Sequence, residues 1–270
     1  MLPRSEGGQV HILVTNDDGV RSMGVLALAR ALAGLGKVTI LAPEHNWSAG
    51  GHNKTMHKPL RIDRVTLADG TEALASNGAP SDCVALAMLG ALDEPVDLVV
   101  AGVNQGANLG EDITYSGTVA AAMEAVIGGL PALAVSLDCY EPGAEFAPAA
   151  EVAARVAAAV TRMRLPEGTF LNVNVPNRPL SMMNGVRLTR LGRRLYRDVL
   201  VRRRDPRGRP YYWIGGDVPA ADEAVEGTDI WAVAHGHVSL TPLHMDMTAY
   251  AILPSLQPLE AILEEATKAP

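Results

Sequence analysis

Strand-like and helix-like segments alternate through the first two-thirds of this chain, and that alternation leaves few folds open. Val10 to Val14 is a short apolar run bounded by turn residues, which reads as a buried strand. A helical pattern follows from Ser22 to Ala33, with Val25, Leu28, Ala29 and Leu32 on one face and Gly34 and Gly36 as its stop. Strand patterns recur at Lys37 to Leu41, Val96 to Ala101, Pro131 to Leu137 and Thr169 to Val175. Helical patterns recur at Pro80 to Leu92, Gly117 to Ile127 and Ala147 to Arg164. Arg61 to Leu67 and Glu72 to Ser76 read as a hairpin turning at Asp69-Gly70. Strands separated by helices pair in parallel and are covered on both faces. The expected fold is therefore α/β, with a three-layer Rossmann-like parallel sheet core.

The pattern changes after Pro176. Arg187 to Arg209 holds ten arginines, and Val199 to Arg203 and Pro210 to Ile214 are placed to pair around an Asp205-Pro206-Arg207-Gly208 turn. Asp229 to Ala234 and Val238 to Leu243 read as strands, and Leu256 to Thr267 as an amphipathic segment. The expected organisation is a catalytic core over 1–185 and an Arg-rich β-hairpin oligomerisation arm over 186–235. A C-terminal strand and helix follow over 236–270, exchanged between subunits.

Composition narrows the function. The chain is 48% hydrophobic and 20% charged, as in a globular protein, and no apolar run is long enough to span a bilayer. Met1 to Gln9 is too short and polar for a signal peptide, so a cytoplasmic location is expected. Cys83 and Cys139, the two cysteines, build neither a disulfide framework nor a Cys-rich zinc site. A formal net charge of −7 argues against general nucleic-acid binding.

Asn16-Asp17-Asp18-Gly19 follows the first strand directly. Adjacent side chains diverge within a strand, but they can converge on the turn that leaves it. Two converging carboxylates repel unless a cation lies between them. The alternative is that one of them caps the helix beginning near Ser22. Two further loops follow strands and should reach the same rim, because ligands of such sheets bind at the carboxyl ends of the strands. The loop from Glu44 to Lys58 contains Ser48, a weak hydroxyl ligand, and Lys54, a counter-charge for an anion. His45 and His52 are acid/base candidates there, or ordinary solvated histidines. The Gly-rich loop from Gly102 to Ser116 brings Asn104, either a metal ligand or the centre of an Asx-turn. Ser116 or Thr118 can cap the next helix, whose free N–H groups suit a phosphate. Asp17, Asp18, Ser48 and Asn104 form an all-oxygen set, which selects a hard cation over zinc. Such a metal suits phosphoester hydrolysis.

These segments resemble the SurE nucleotidases, the stationary-phase survival protein family. The likeness runs through Ile12 to Gly19, Asn46 to His52, Ser76 to Val84, Gly102 to Gly110 and Tyr115 to Glu124. It extends through Leu171 to Pro176 and Val238 to Leu243. The resemblance implies a metal-dependent phosphatase acting on nucleoside 5′- or 3′-monophosphates, and sometimes on short polyphosphate. It implies one divalent metal ion per subunit (Mg²⁺, Mn²⁺ or Ca²⁺) on Asp17, Asp18, Ser48 and Asn104. Asp17 and Asp18 are then the catalytic pair. Asn46, Gly50, Lys54, Asn108, Ser116, Gly117 and Thr118 are the expected substrate contacts, and the assembly is a homodimer or homotetramer. Trp47 stands where the family commonly carries Arg. Lys54 then contacts the phosphate in place of that Arg, or Trp47 stacks on the base.

Three rival readings bear on the same residues. A covalent aspartyl-phosphate mechanism uses Asp-x-Asp after the first strand, whereas the two Asp residues here are adjacent. A non-catalytic nucleotide- or metal-binding module would bind without releasing phosphate. The arginine-rich arm would bind nucleic acid with steep salt dependence, or else be a solvated or subunit-facing hairpin. His235 and His237, two apart in a strand-like stretch, would share a face as a surface pair or as two zinc ligands.

Overall fold

The computed structural model describes residues 9–163, 165–195, 199–215, 220–221 and 225–268. Arg164, the expected end of the Ala-rich helix, and most of Met1 to Gln9 lie outside those residues. The strands in chain order are β1 (His11–Thr15), β2 (Lys37–Pro43), β3 (Ile62–Thr66), β4 (Glu72–Ser76), β5 (Leu98–Gln105), β6 (Ala132–Asp138) and β7 (Thr169–Pro176). Then come β8 (Val186–Leu188), β9 (Arg194–Leu195), β10 (Val199–Arg204), β11 (Pro210–Gly215), β12 (Ala220–Ala221) and β13 (Val238–His244). The helices are α1 (Met23–Leu32), α2 (Pro80–Leu86), α3 (Gly117–Ile127), α4 (Ala147–Met163), α5 (Asp229–Ala234), α6 (Leu253–Leu256) and α7 (Pro258–Lys268).

The main sheet runs β3-β4-β2-β1-β5-β6-β7-β13-β8. The six strands from β4 to β7 are mutually parallel. Antiparallel β3 closes one edge, and antiparallel β13 extends the other. Alternation along β1 divides the core. Ile12 and Val14 pack with Val25, Leu28 and Leu32 of α1 and with Ala149 and Ala153 of α4. Leu13 faces the opposite way and packs with Val84 of α2 and with Ala121 and Ala125 of α3. Both faces are thus covered, as a parallel sheet requires.

The chain winds outward from β1 to β2 and β4, then crosses back to β5 on the other side of β1. That reversal is the topological switch point, where a crevice opens beyond the strand ends. Asp17 and Asp18 follow β1, and Asn104 lies near the end of β5. The register of β5 against β6 shifts between Ala101 and Asn104. Such an irregularity re-aims side chains at the edge of a site.

Some elements differ from the sequence reading. Asp229 to Ala234 is a helix, not a strand: Thr228 caps it by accepting from the Trp231 N–H at 3.1 Å. His235 and His237 consequently leave a helix end and stack on Trp231, at 4.6 and 5.7 Å between ring centroids. The second helix is regular only to Leu86. It widens into a π-helical turn over Ala87–Ala91, where Gly90 takes φ 94°. The C-terminal amphipathic segment begins earlier than expected and is broken at Gln257 into α6 and α7. The hairpin is as expected, with Val199 paired to Gly215 and Arg204 to Pro210.

Candidate active site

Asn16 builds the turn after β1. Its amide nitrogen donates to Ser22 Oγ at 2.7 Å, and its Oδ1 accepts from the Gly19 N–H at 3.2 Å. Ser22, not either aspartate, caps α1 by accepting from the Val25 N–H. Asp17 and Asp18 are thereby released from the local capping role that the sequence left open.

Asp17 is buried, with 3% of its surface exposed, and both its oxygens are engaged by the start of α3. Thr118 Oγ1 donates to one oxygen at 2.6 Å, and the Gly117 N–H donates to the other at 3.1 Å. A carboxylate there complements the positive end of the helix dipole. Burial pushes the Asp17 carboxyl above its ordinary range, and the bonds from Thr118 and Gly117 oppose that rise. Gly117 permits the approach, because a Cβ at this position would lie 2.7 Å from Asp17 Cβ. Asp18 accepts from the Gln105 N–H at 3.2 Å. Burial first, and neighbouring Asp17 second, push the Asp18 carboxyl up to about 6.

The other loops join the same rim. The Trp47 N–H donates to the Asp17 carbonyl at 2.7 Å, which brings the Ser48 loop against the carboxylates. Asn46 Oδ1 accepts from the Ser48 N–H at 2.7 Å, and the Gly50 N–H closes a turn on the Trp47 carbonyl. Ser48 is exposed. Asn104 donates its amide nitrogen to the Gly106 carbonyl at 2.8 Å, so Oδ1 is the atom it retains for a cation. Ser116 caps α3 by accepting from the Val119 N–H.

Two expected contacts are placed differently. Lys54 Nζ lies 2.8 Å from Glu124 of α3, in an ion pair. Asn108 is buried in an amide and hydroxyl cluster: its N–H and its side-chain nitrogen donate to Asn174 and Ser136, each at 2.8 Å. Its carbonyl accepts from Asn172 and Asn174. Sequence reading missed one loop anchor, Glu124. Asp82 accepts from the Thr55 and Ala79 N–H groups. The available signal for Glu124 was a lone carboxylate inside an otherwise Ala- and Val-rich helix.

The donor set suits a hard cation. Among the described residues no group of three or more His, Cys, Asp or Glu converges. The expected set is two adjacent carboxylates, buried Asp17 and half-buried Asp18, with Ser48 and Asn104 as neutral oxygens. A divalent ion of the Mg²⁺, Mn²⁺ or Ca²⁺ type fits oxygen donors of this kind.

A doubly wound α/β protein with an acidic oxygen-donor site at its switch point is thus defined by fold and geometry together. The chain matches the family model described as survival protein SurE over residues 12–198. It is 55% identical to the 5′-nucleotidase SurE of Herpetosiphon aurantiacus, over 88% of this chain and 94% of that one. It is 51% identical to the 5′-nucleotidase SurE of Chloroflexus aggregans, over 92% and 98% of the two chains. The crystal structure of the SurE protein from Aquifex aeolicus superposes with a TM-score of 0.79 at 42% identity, covering 93% of this chain and 99% of that one. This chain belongs to the SurE family.

Proposed function

We propose that this protein is a metal-dependent phosphomonoesterase that hydrolyses nucleoside 5′- and 3′-monophosphates, and short polyphosphate, releasing phosphate. The observation that carries the reading is the adjacent Asp17–Asp18 pair at the switch point, in a chain about half identical to proteins named 5′-nucleotidase. Asp17, Asp18, Ser48 and Asn104 would hold one divalent ion per subunit. When bound, it supplies the charge that polarises the phosphoryl group and acidifies water.

The residues divide the remaining work. Asp17 has both oxygens committed to α3, so it orients rather than accepts protons. Asp18 has one oxygen on the Gln105 N–H and the other free of α3, so it is the carboxylate that takes a proton from the attacking water. Asn46, Gly50, Lys54 and Ser116 rim the phosphate, and Asn108 braces the Gly-rich loop behind it through Asn174 and Ser136. Gly117 and Thr118 act on it through Asp17, while the α3 dipole favours its negative charge. The protein works in the cytoplasm as a homodimer or homotetramer, and nucleic acid is not its partner. Among the described residues no helix is long and apolar enough to cross a membrane.

A phosphate-release screen across nucleotides and divalent metals tests the reading. Release from nucleoside monophosphates that stops with EDTA and returns with Mg²⁺ or Mn²⁺ is expected. Nucleotide binding with no release under any metal would replace it with a non-catalytic binding module.

A further inference from the structure

The 44–58 loop carries Ser48 but has little apolar surface to hold it. Its Met56 is 87% exposed, Trp47 is half-buried, and Thr55 is its one buried residue. Polar bonds must therefore position it. At its far end the Thr55 N–H donates to Asp82, and the Ser81 hydroxyl donates to the Asn53 carbonyl. In its middle the Gly51 N–H donates to the Tyr115 carbonyl at 2.9 Å. Between these lies Glu124, whose two oxygens meet His52 Nε2 at 2.9 Å and Lys54 Nζ at 2.8 Å.

Glu124 is an unusual place for a charge. Its side chain is only 5% exposed, whereas those of His52 and Lys54 are 28% and 53% exposed. Burying a carboxylate is costly, and pairing it seldom returns a net gain in stability, so its use is geometric. Glu124 lies seven residues after Gly117, nearly two full helical turns, and so on the same face of α3. One rigid helix thus holds Asp17 with its first turn and the Ser48 loop with its third.

The geometry points to Glu124 as a positioning residue that clamps the His52–Lys54 segment to α3 and so, together with the Trp47 N–H bond to the Asp17 carbonyl, holds Ser48 against the Asp17–Asp18 pair. This deepens the metal-site reading above and rests on it. Lys54 keeps two further N–H donors beside its bond to Glu124, and the clamp holds that ammonium at the rim for an anionic phosphate.

The test uses full-length protein and the variants Glu124→Ala and Glu124→Gln. Hydrogen exchange of amides 46–55 is measured without metal or nucleotide, alongside Mn²⁺ titration and phosphate release. Because His52 and Lys54 reach solvent, both variants should fold. In Glu124→Ala the loop amides should exchange about tenfold faster or more while β1 and α3 keep their protection. Mn²⁺ affinity and kcat/KM should each fall by about tenfold, and Glu124→Gln, which keeps the shape without the charge, should lie between. Loop exchange and Mn²⁺ binding equal to wild type in Glu124→Gln, with only a lower Tm in Glu124→Ala, would overturn the clamp. If Glu124→Ala does not fold, Glu124→Gln decides alone. Absence of phosphate release from the wild type would count against the enzyme reading instead, since the exchange measurement needs no substrate.

Discussion

Asp17 and Asp18 have the same side chain and adjacent positions, yet their surroundings hold them differently. Asp17 is held through both oxygens, and Asp18 through one. Removing either charge weakens a hard-cation site directly. Asp17→Asn and Asp18→Asn should each lower phosphate release on the order of a thousandfold with the fold intact by circular dichroism. Full activity of either variant at limiting metal would place the metal elsewhere. Asp18 also makes a stability prediction. Its folded value of about 6 lies above the ordinary 3.8, so the metal-free folded state holds this proton more tightly than the unfolded chain. Its favourable contribution is complete below about 4 and is lost as pH rises through about 6. Asp69 and Asp246 are lowered to about 2, so they act in the opposite sense, but in a more acidic window. Metal-free protein should therefore gain Tm on going from pH 7 to pH 5. Asp18→Asn should reduce that gain and raise Tm at pH 7 by ~2–4 °C, about 1 kcal/mol once solvent screening is allowed for. An unchanged pH profile in Asp18→Asn would mean the rise comes from other groups.

Helix α3 is the element that organises the site. Its first turn grips Asp17, its cap is Ser116, and Glu124 reaches the Ser48 loop. The Ala-rich face (Ala121, Ala122 and Ala125, each fully buried) lets it lie close to the sheet. The fit at Gly117 is tighter still, since a Cβ there would also lie 2.9 Å from Asp17 Oδ2. Gly117→Ala should therefore displace the carboxylate and reduce activity by about tenfold or more, while the better helix propensity of Ala offsets the lost packing. Tm within a few degrees of wild type together with weaker Mn²⁺ binding is the expected pair of results. Wild-type activity in Gly117→Ala would show that Asp17 does not need this geometry. The arm is tied to the same region, because Asp229 accepts from the N–H groups of both Gly110 and Gly192.

At the scale of the molecule, two features extend from the core with their apolar surface uncovered. Trp213 and Ile214 of the hairpin are 66% and 78% exposed. Leu256, Leu259, Ile262 and Leu263 of the terminal helices are 44% to 63% exposed. A short helix is marginal in water without an apolar partner. A second copy of the chain supplies one in the proposed homo-oligomer. Truncation after Pro254 should reduce assembly and lower Tm while leaving Asp17, Asp18, Ser48 and Asn104 in place. Size exclusion with light scattering decides the point. A full-length protein that is a stable monomer at micromolar concentration would require these helices to pack on their own core.

The order of elements, the parallel sheet and the oxygen-rich loops were legible in the sequence, because hydrophobic period and turn residues act over a few positions. The periodicity of Val25, Leu28 and Leu32 made α1 readable, as the hairpin residues made β10 and β11. Asp229 to Ala234 was misread because six residues carry too little periodicity to separate helix from strand, and a Thr228 cap decided it. The pairing of Asp17 with Gly117 and Thr118 spans about a hundred positions, and that of Lys54 with Glu124 spans seventy. No local pattern encodes such contacts. They arise when parallel strands deliver their loops to one rim, where packing against α3 holds Asp17 through both oxygens and leaves Asp18 held through one.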